Sequence, residues 1–161
     1  MQTARCVLTP LRRDDVADVT ALYADEAVRR FLGGPADEDE VRTSLSTFVE
    51  DKASGSALHF WVIRLKGGSF VGTVSLGAHH DGADTEVSYQ LLPMWWGQGY
   101  AGEAVGAVIK YALFELGLAR VVAETQRANL ASCRLLERLG MRLERTVERF
   151  GAEQAIYVRE A

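Results

Sequence analysis

Between Leu92 and Tyr100 the chain runs Pro93-Met94-Trp95-Trp96-Gly97-Gln98-Gly99, a loop with two side-chain-free positions set between a strand pattern and a helix pattern. Upstream, Thr85 to Leu92 alternates, with Val87, Tyr89 and Leu91 on one face and Glu86, Ser88 and Gln90 on the other. That spacing predicts a strand with one buried and one polar face. Downstream, Tyr100 to Leu116 places Ala101, Ala104, Val105, Val108, Ala112 and Leu116 on an inward helical stripe, with Gly117 just past its end. Glycines at such a junction let an anion approach the backbone. The free N–H groups of the first helical turn then point at it with a favourable dipole. The physical expectation is a pyrophosphate cradle; the blander alternative is a loop that needs glycine only for positive φ.

The flanking sequence limits the fold further. Val7 to Leu11 reads as an opening strand, Asp14 as the cap of a helix running to Tyr23, and Glu26 to Leu32 as a second short helix stopped by Gly33-Gly34-Pro35. From Asp37 an acidic first turn followed by Val41, Leu45, Phe48 and Val49 predicts a third helix ending near Gly55. Phe60 to Leu65 and Phe70 to Leu76 flank Lys66-Gly67-Gly68-Ser69, a hairpin signal. After Gly117 come a strand from Arg120 to Thr125, a helix from Asn129 to Leu139 closed by Gly140, and a pair of strands from Met141 to Val158. Local antiparallel pairing around one strand-loop-helix-strand crossover gives an α+β class: a mixed, mostly antiparallel twisted sheet flanked by helices.

With 161 residues, the chain is expected to form a single domain over 1–161. Its 18 Lys and Arg against 22 Asp and Glu, a net charge of −4, create no basic field for phosphate backbones, so nucleic acid is not an expected partner. Pro93, Gly97 and Gly99 break the longest uncharged stretch, so no membrane span is expected. Cys6 and Cys133 form no paired motif and suit reduced, buried thiols. No apolar run of signal-peptide length follows Met1, and the expected location is the cytoplasm.

Gly97-x-Gly99-x-x-Gly102 also matches a dinucleotide fingerprint, with Glu124 about 20 residues on. Against this, Pro93 to Trp96 separate the strand from the first glycine, a hairpin precedes it, and too little chain follows for further βαβ units. Asn129 and Ser132 stand three apart at the start of a helix, on one face.

Several motifs in order resemble the GNAT N-acetyltransferase superfamily, and within it the RimJ/RimL-like branch of ribosomal-protein N-terminal acetyltransferases. They are Leu8-x-Pro10-Leu11, Phe70-Val71-Gly72, Tyr89-x-Leu91, Trp96-Gly97-Gln98-Gly99-Tyr100-Ala101-x-Glu103-Ala104, Asn129-x-x-Ser132 and Glu137-Arg138-Leu139-Gly140-Met141. The resemblance implies acetyl-CoA as co-substrate, its pyrophosphate on the amides of Gly97, Gln98, Gly99, Tyr100 and Ala101. It implies a pantetheine arm beside Leu91 and Leu92, where the strand splays from its neighbour, with Asn129 bonded to that arm and Ser132 near the thioester sulfur. An amine acceptor, either a peptide N-terminus or a small molecule, follows from it, with the protein a monomer or homodimer. Helix capping by Asn129 and a solvated Ser132 are the simpler alternatives.

Two positions depart from the family pattern. Trp96 stands where a Gln or Arg usually opens the glycine loop, and Leu136 stands seven after Asn129, where many members carry a Tyr as general acid. A thiol of pKa near 8.5 leaves the thiolate only about 2 kcal/mol above its protonated form at pH 7, so an acid is useful but dispensable. Deprotonating the amine is harder, and Glu86, on the polar face of its strand, is the candidate base through water. With Ser132 it makes the expected catalytic pair. Leu136 prompts a rival from another class, a non-catalytic acyl-CoA-binding sensor. His79, His80, Asp81 and Asp84 read as a solvated turn and not a metal site. Trp95 and Trp96 read as core or pocket lining, and Arg134 and Arg138 as exposed helix charges.

Overall fold

A computed structural model describes residues 1–51 and 59–161. Its strands are β1 (Cys6–Pro10), β2 (His59–Leu65), β3 (Phe70–Ala78), β4 (Thr85–Leu91), β5 (Arg120–Gln126), β6 (Arg142–Arg149) and β7 (Ala152–Glu160). Its helices are α1 (Val16–Ala24), α2 (Glu26–Arg29), α3 (Glu38–Glu50), α4 (Tyr100–Lys110) and α5 (Leu130–Arg138). The strands form one seven-stranded sheet in the order β1-β2-β3-β4-β5-β7-β6. Every neighbouring pair is antiparallel except β4 and β5. This is the mixed, mostly antiparallel α+β sheet that the sequence pattern predicts.

Alternation along the strands divides the apolar residues between two faces. On one face Trp61 and Ile63 of β2 and Val87 and Leu91 of β4 pack with Val105 and Val108 of α4 and Cys133 and Leu136 of α5. On the other, Val62 packs with Val16 and Val19 of α1 and Leu45 of α3. Fully burying one such Val or Leu contributes roughly 1.5–3 kcal/mol, so each face holds its helices by several side chains. Among the described residues no helix is long and apolar enough to cross a membrane.

Local chemistry corrects two expectations. Asp14 is exposed and does not cap α1; Asp15 stands at the cap position without a side-chain bond to the helix, its Oδ2 instead accepting from the Arg12 N–H at 3.0 Å across a 3-10 turn (Arg13–Asp15) that leads into α1. Asp37 does cap α3, accepting from the N–H groups of Asp39 and Glu40. The expected end of that helix near Gly55 lies outside the described residues. At its far end α4 passes into a π turn (Tyr111–Glu115), closed by Leu116 N donating to Tyr111 O at 3.0 Å. The wider turn shifts the helical phase, so Leu113 enters the core and Leu116, expected inward, is exposed.

Candidate active site at the open seam of the sheet

The parallel neighbours β4 and β5 share one registered pair, Glu86↔Val122, and past it the ladder opens. Which backbone groups face the gap follows from the β3–β4 register. Leu92 N donates to Val71 O at 2.9 Å, so the even-numbered residues 88, 90 and 92 turn their amides to β3 and the odd-numbered 89 and 91 turn theirs toward β5. Tyr89 and Leu91 therefore line the gap. The Leu92 amide, expected beside them, is committed to β3. The Leu91 carbonyl accepts from the Trp96 indole at 2.7 Å, while the Leu91 N–H, by the same register, faces the gap. Gly72 makes this close approach of strands possible: a Cβ there would lie 2.1 Å from the Gln90 carbonyl oxygen.

At the end of β4 a 3-10 turn (Pro93–Trp95) leads into the glycine loop. Gly97 and Gly99 take φ of 72° and 85°, the left-handed region that favours glycine. Gly99 caps α4 without a side chain, so the first-turn amides are offered to the loop. The Gln98 side chain folds back, Nε2 donating to Met94 O at 2.8 Å, and what Gln98 offers the loop is its backbone. Trp96 is half exposed, while Trp95 bonds Phe70 O and packs against Tyr100. Open space in front of Gly97 and unencumbered amides at the helix start fit a pyrophosphate.

Sequence reasoning missed Arg5. Its guanidinium lies 4.3 Å from the Tyr100 ring centroid, pairs with Glu103, and reaches 3.1 Å from where a Gly99 Cβ would stand. Nothing in the sequence links it to a loop more than ninety residues away.

Asn129 is the cap of α5, its Oδ1 accepting from the Ser132 N–H at 3.2 Å. Its Nδ2 has no partner among the described residues. Ser132 Oγ lies 2.6 Å from the Tyr89 hydroxyl, and burial pushes that phenol up to about 12. Leu136 is fully buried in the core, so its position offers the gap no polar group.

Glu86, Ser88 and Gln90 stand on the opposite face of β4 from Tyr89, so the two expected catalytic residues, Glu86 and Ser132, lie on opposite sides of the sheet. Burial pushes the Glu86 carboxyl above the usual carboxylate range, against the pull of His79 and of the Glu124 backbone N–H. Among the described residues Glu86 has no ion-pair partner, and Gln90 Oε1 is buried without a donor.

The turn at His79 to Asp84 is solvated only in part: His80 and Asp81 are exposed as expected from sequence, but His79 is not. His79 is 3% exposed. Its Nδ1 accepts from the Asp81 N–H at 3.4 Å, which leaves Nε2 to donate to Glu124 at 2.8 Å. Arg149, at the end of β6, grips both Glu124 and Asp81, and Arg120 bonds Asp84 at 2.9 Å. Hydrogen bonds from Arg149 and His79 outweigh burial and hold the Glu124 carboxyl below its ordinary range. Side-chain bonds thus tie β5 to the β3–β4 turn where backbone pairing gives out. Glu124 is occupied within this tie, and the largely antiparallel sheet excludes the dinucleotide-binding alternative. Phe150, at φ 55°, is the one non-glycine residue with positive φ among the described residues, exposed beside His80 at the rim.

Residues 5–142 match the family model described as acetyltransferase (GNAT) domain. The FsC-acetyl coenzyme A-N(2)-transacetylase of Aspergillus fumigatus is 30% identical over 151 residues, covering 88% of this chain and 64% of that protein. The structure of spermidine N-acetyltransferase from Vibrio cholerae, in complex with CoA and spermine, aligns with a TM-score of 0.83 at 18% identity, over 96% of this chain and 95% of that one. RimL, a ribosomal L7/L12 alpha-N-protein acetyltransferase in complex with coenzyme A, aligns with a TM-score of 0.82 at 18% identity, over 98% of this chain and 95% of that one.

Proposed function

The chain belongs to the GNAT acetyltransferase family and is an acetyl-CoA-dependent N-acetyltransferase; on that premise we propose that acetyl passes to a primary amine by direct attack in a ternary complex. Donor and acceptor meet at the β4–β5 gap from opposite faces of the sheet. The observation that carries this reading is the single registered pair Glu86↔Val122. The Tyr89–Ser132 hydroxyls stand on one face beyond it, and an unpaired carboxylate stands on the other.

In this reading the amides of Gly97 to Ala101 hold the pyrophosphate. The gap-facing backbone of Tyr89 and Leu91 pairs with the pantetheine amides as an added strand would, and Asn129 donates to them through Nδ2. The Leu91 N–H, free to face the gap, stabilises the oxyanion; loss of one such donor typically costs about 10²–10³ in rate. The amine forms its C–N bond as the C–S bond breaks and the sulfur takes the electron pair. Its proton passes through water to Glu86, whose raised pKa makes it a better base than an exposed carboxylate.

The acceptor is a protein N-terminal α-amine or a small-molecule amine. An α-amine of pKa about 8 is partly neutral at pH 7, whereas a lysine-like amine near 10.4 costs roughly 4–5 kcal/mol to deprotonate. Glu86 without a cation and Gln90 Oε1 without a donor suit an amine, which brings only donors. Likeness to RimL supports the N-terminal substrate and the RimJ/RimL-like placement; likeness to a spermidine acetyltransferase supports the small one. The sensor alternative loses its motive, because Tyr89 and Ser132 bring two hydroxyls to the gap although Leu136 brings none.

A panel of amino acids, polyamines and short peptides, incubated with acetyl-CoA, tests the reading by free-thiol release and by mass spectrometry of the acceptor. Amine-dependent thiol release is the expected result. Acetyl-CoA binding without transfer to any amine would establish the sensor instead.

A further inference from the structure

Tyr89 and Ser132 come from β4 and α5, 43 positions apart, and meet hydroxyl to hydroxyl at 2.6 Å, at the short end for an O–H···O bond. Two hydroxyls at this distance share one hydrogen, so one donates and the other keeps its own hydrogen for a third group. A phenol is a stronger acid than an aliphatic alcohol, hence the better donor, and a serine oxygen is the better acceptor. The Tyr89 O–H accordingly donates to Ser132 Oγ. Burial pushes the phenol up to about 12, so it holds its proton throughout the neutral range. Ser132 Oγ, with one lone pair engaged and its N–H bonded to Asn129 Oδ1, is fixed on two sides. What remains free is its own hydrogen, polarised by the bond it accepts.

We propose that Tyr89 is a positioning residue for acetyl transfer: by donating to Ser132 Oγ it aims the Ser132 hydroxyl hydrogen at the sulfur on which charge builds as the thioester breaks. The inference rests on the transferase reading above. Neither residue loses a proton. The C–S electron pair goes to sulfur, Ser132 holds the thiolate by a hydrogen bond, and the released thiolate takes its proton from solvent. A thiol pKa near 8.5 makes that last step easy, so a fixed hydrogen-bond donor suffices where no phenol stands at position 136.

The test compares kcat and the KM for acetyl-CoA in wild type, Tyr89→Phe, Ser132→Ala, Ser132→Thr and the Tyr89→Phe/Ser132→Ala double variant, using the best amine of the panel. Thermal unfolding with and without acetyl-CoA checks the fold and donor binding of each. Tyr89→Phe is expected to lower kcat about tenfold with KM nearly unchanged, the scale of about one lost hydrogen bond in the transition state. Ser132→Ala should fall at least as far, the double variant no further than Ser132→Ala, and Ser132→Thr, which keeps a hydroxyl, should recover most of the rate. Full kcat in Tyr89→Phe, or losses that multiply in the double variant, overturns the proposal while leaving the transferase reading intact. A loss confined to KM makes the pair a binding element and overturns it as well. Absence of wild-type turnover on every amine overturns both, since no leaving group then exists to be held.

Discussion

The two sides of the β4–β5 gap are built by different means. The side proposed to hold the donor comes mainly from two short contiguous segments, residues 96–101 and 129–132, together with the Leu91 N–H of β4, and works mainly through backbone: glycines at positive φ and amides at the starts of α4 and α5. The face proposed to meet the acceptor draws single side chains from the β3–β4 turn, β4, β5 and the end of β6, namely His79, Asp81, Glu86, Glu124 and Arg149. A site made of backbone tolerates side-chain change so long as glycine stays where φ or space demands it. A site made of distant side chains can be re-specified residue by residue, which suits a family in which the donor stays fixed and the acceptor varies.

The difference should be largest for Glu86. Glu86→Gln keeps shape while removing the base, and the expected loss is about 10²–10⁴ in rate. Because burial raises this carboxyl, its charged form opposes folding. Whatever stability the raised pKa contributes is present below the unfolded value and gone once pH has risen through the folded one. At pH 7 the variant should therefore melt at the wild-type temperature or above it while turning over far more slowly. Wild-type activity should fall on acidification at a pH above that of an ordinary carboxylate, and for an α-amine acceptor the variant's deficit should shrink above about pH 8. Wild-type turnover in Glu86→Gln at pH 7 removes it from the chemistry.

Glu124 carries the opposite sign. Its carboxyl is held low by Arg149 and His79, so its contribution to stability is present above the unfolded pKa and is lost as pH falls through the folded one. Glu124→Gln strips one partner from a largely buried cluster and should cost about 3 kcal/mol of stability, read by denaturant unfolding. An unchanged midpoint would show that the tie across the seam contributes nothing.

On the donor side, acetyl-CoA at 100 times its dissociation constant should stabilise the wild type by about 2.7 kcal/mol, and Gly99→Val should abolish that shift. The added side chain meets the flexible end of Arg5 at a φ of 85°, so a modest loss of intrinsic stability is also expected. A folded Gly99→Val protein with the full shift contradicts the cradle. The smallest effect separates the two roles of Asn129: Asn129→Asp keeps the Oδ1 cap and removes the Nδ2 donor. Melting temperature without ligand should hold, and acetyl-CoA binding should weaken by roughly 1–3 kcal/mol, measured by calorimetry. Equal affinity would leave Asn129 a helix cap.

The same contrast explains what the sequence shows and what it hides. The order of strands and helices along the chain, the hairpin at Lys66 to Ser69, the glycine loop and the Asn129 cap all follow from spacing within a few residues, where local geometry dictates which residue types fit. That the Leu92 amide turns to β3 is hidden in the sequence, because hydrogen-bond direction depends on the β3–β4 register, in which Gly72 pairs with Leu91. Leu116 was misplaced because one π turn shifts the helical phase without any glycine or proline to announce it. Arg5 beside Gly99, His79 against Glu124 and Tyr89 against Ser132 are pairings between distant positions, visible only once the chain has folded.

In the proposed reaction acetyl crosses the gap from a backbone-held donor to an amine on the Glu86 side. The most direct measurement follows free-thiol release from acetyl-CoA against the amine panel, in wild type and in Glu86→Gln, together with the acetyl-CoA thermal shift of each. The expected result is amine-dependent thiol release in wild type, a large loss of that rate in Glu86→Gln, and the same thermal shift in both proteins. A wild type that shows the shift but releases no thiol with any amine, or a Glu86→Gln variant that loses the shift along with the rate, would contradict it.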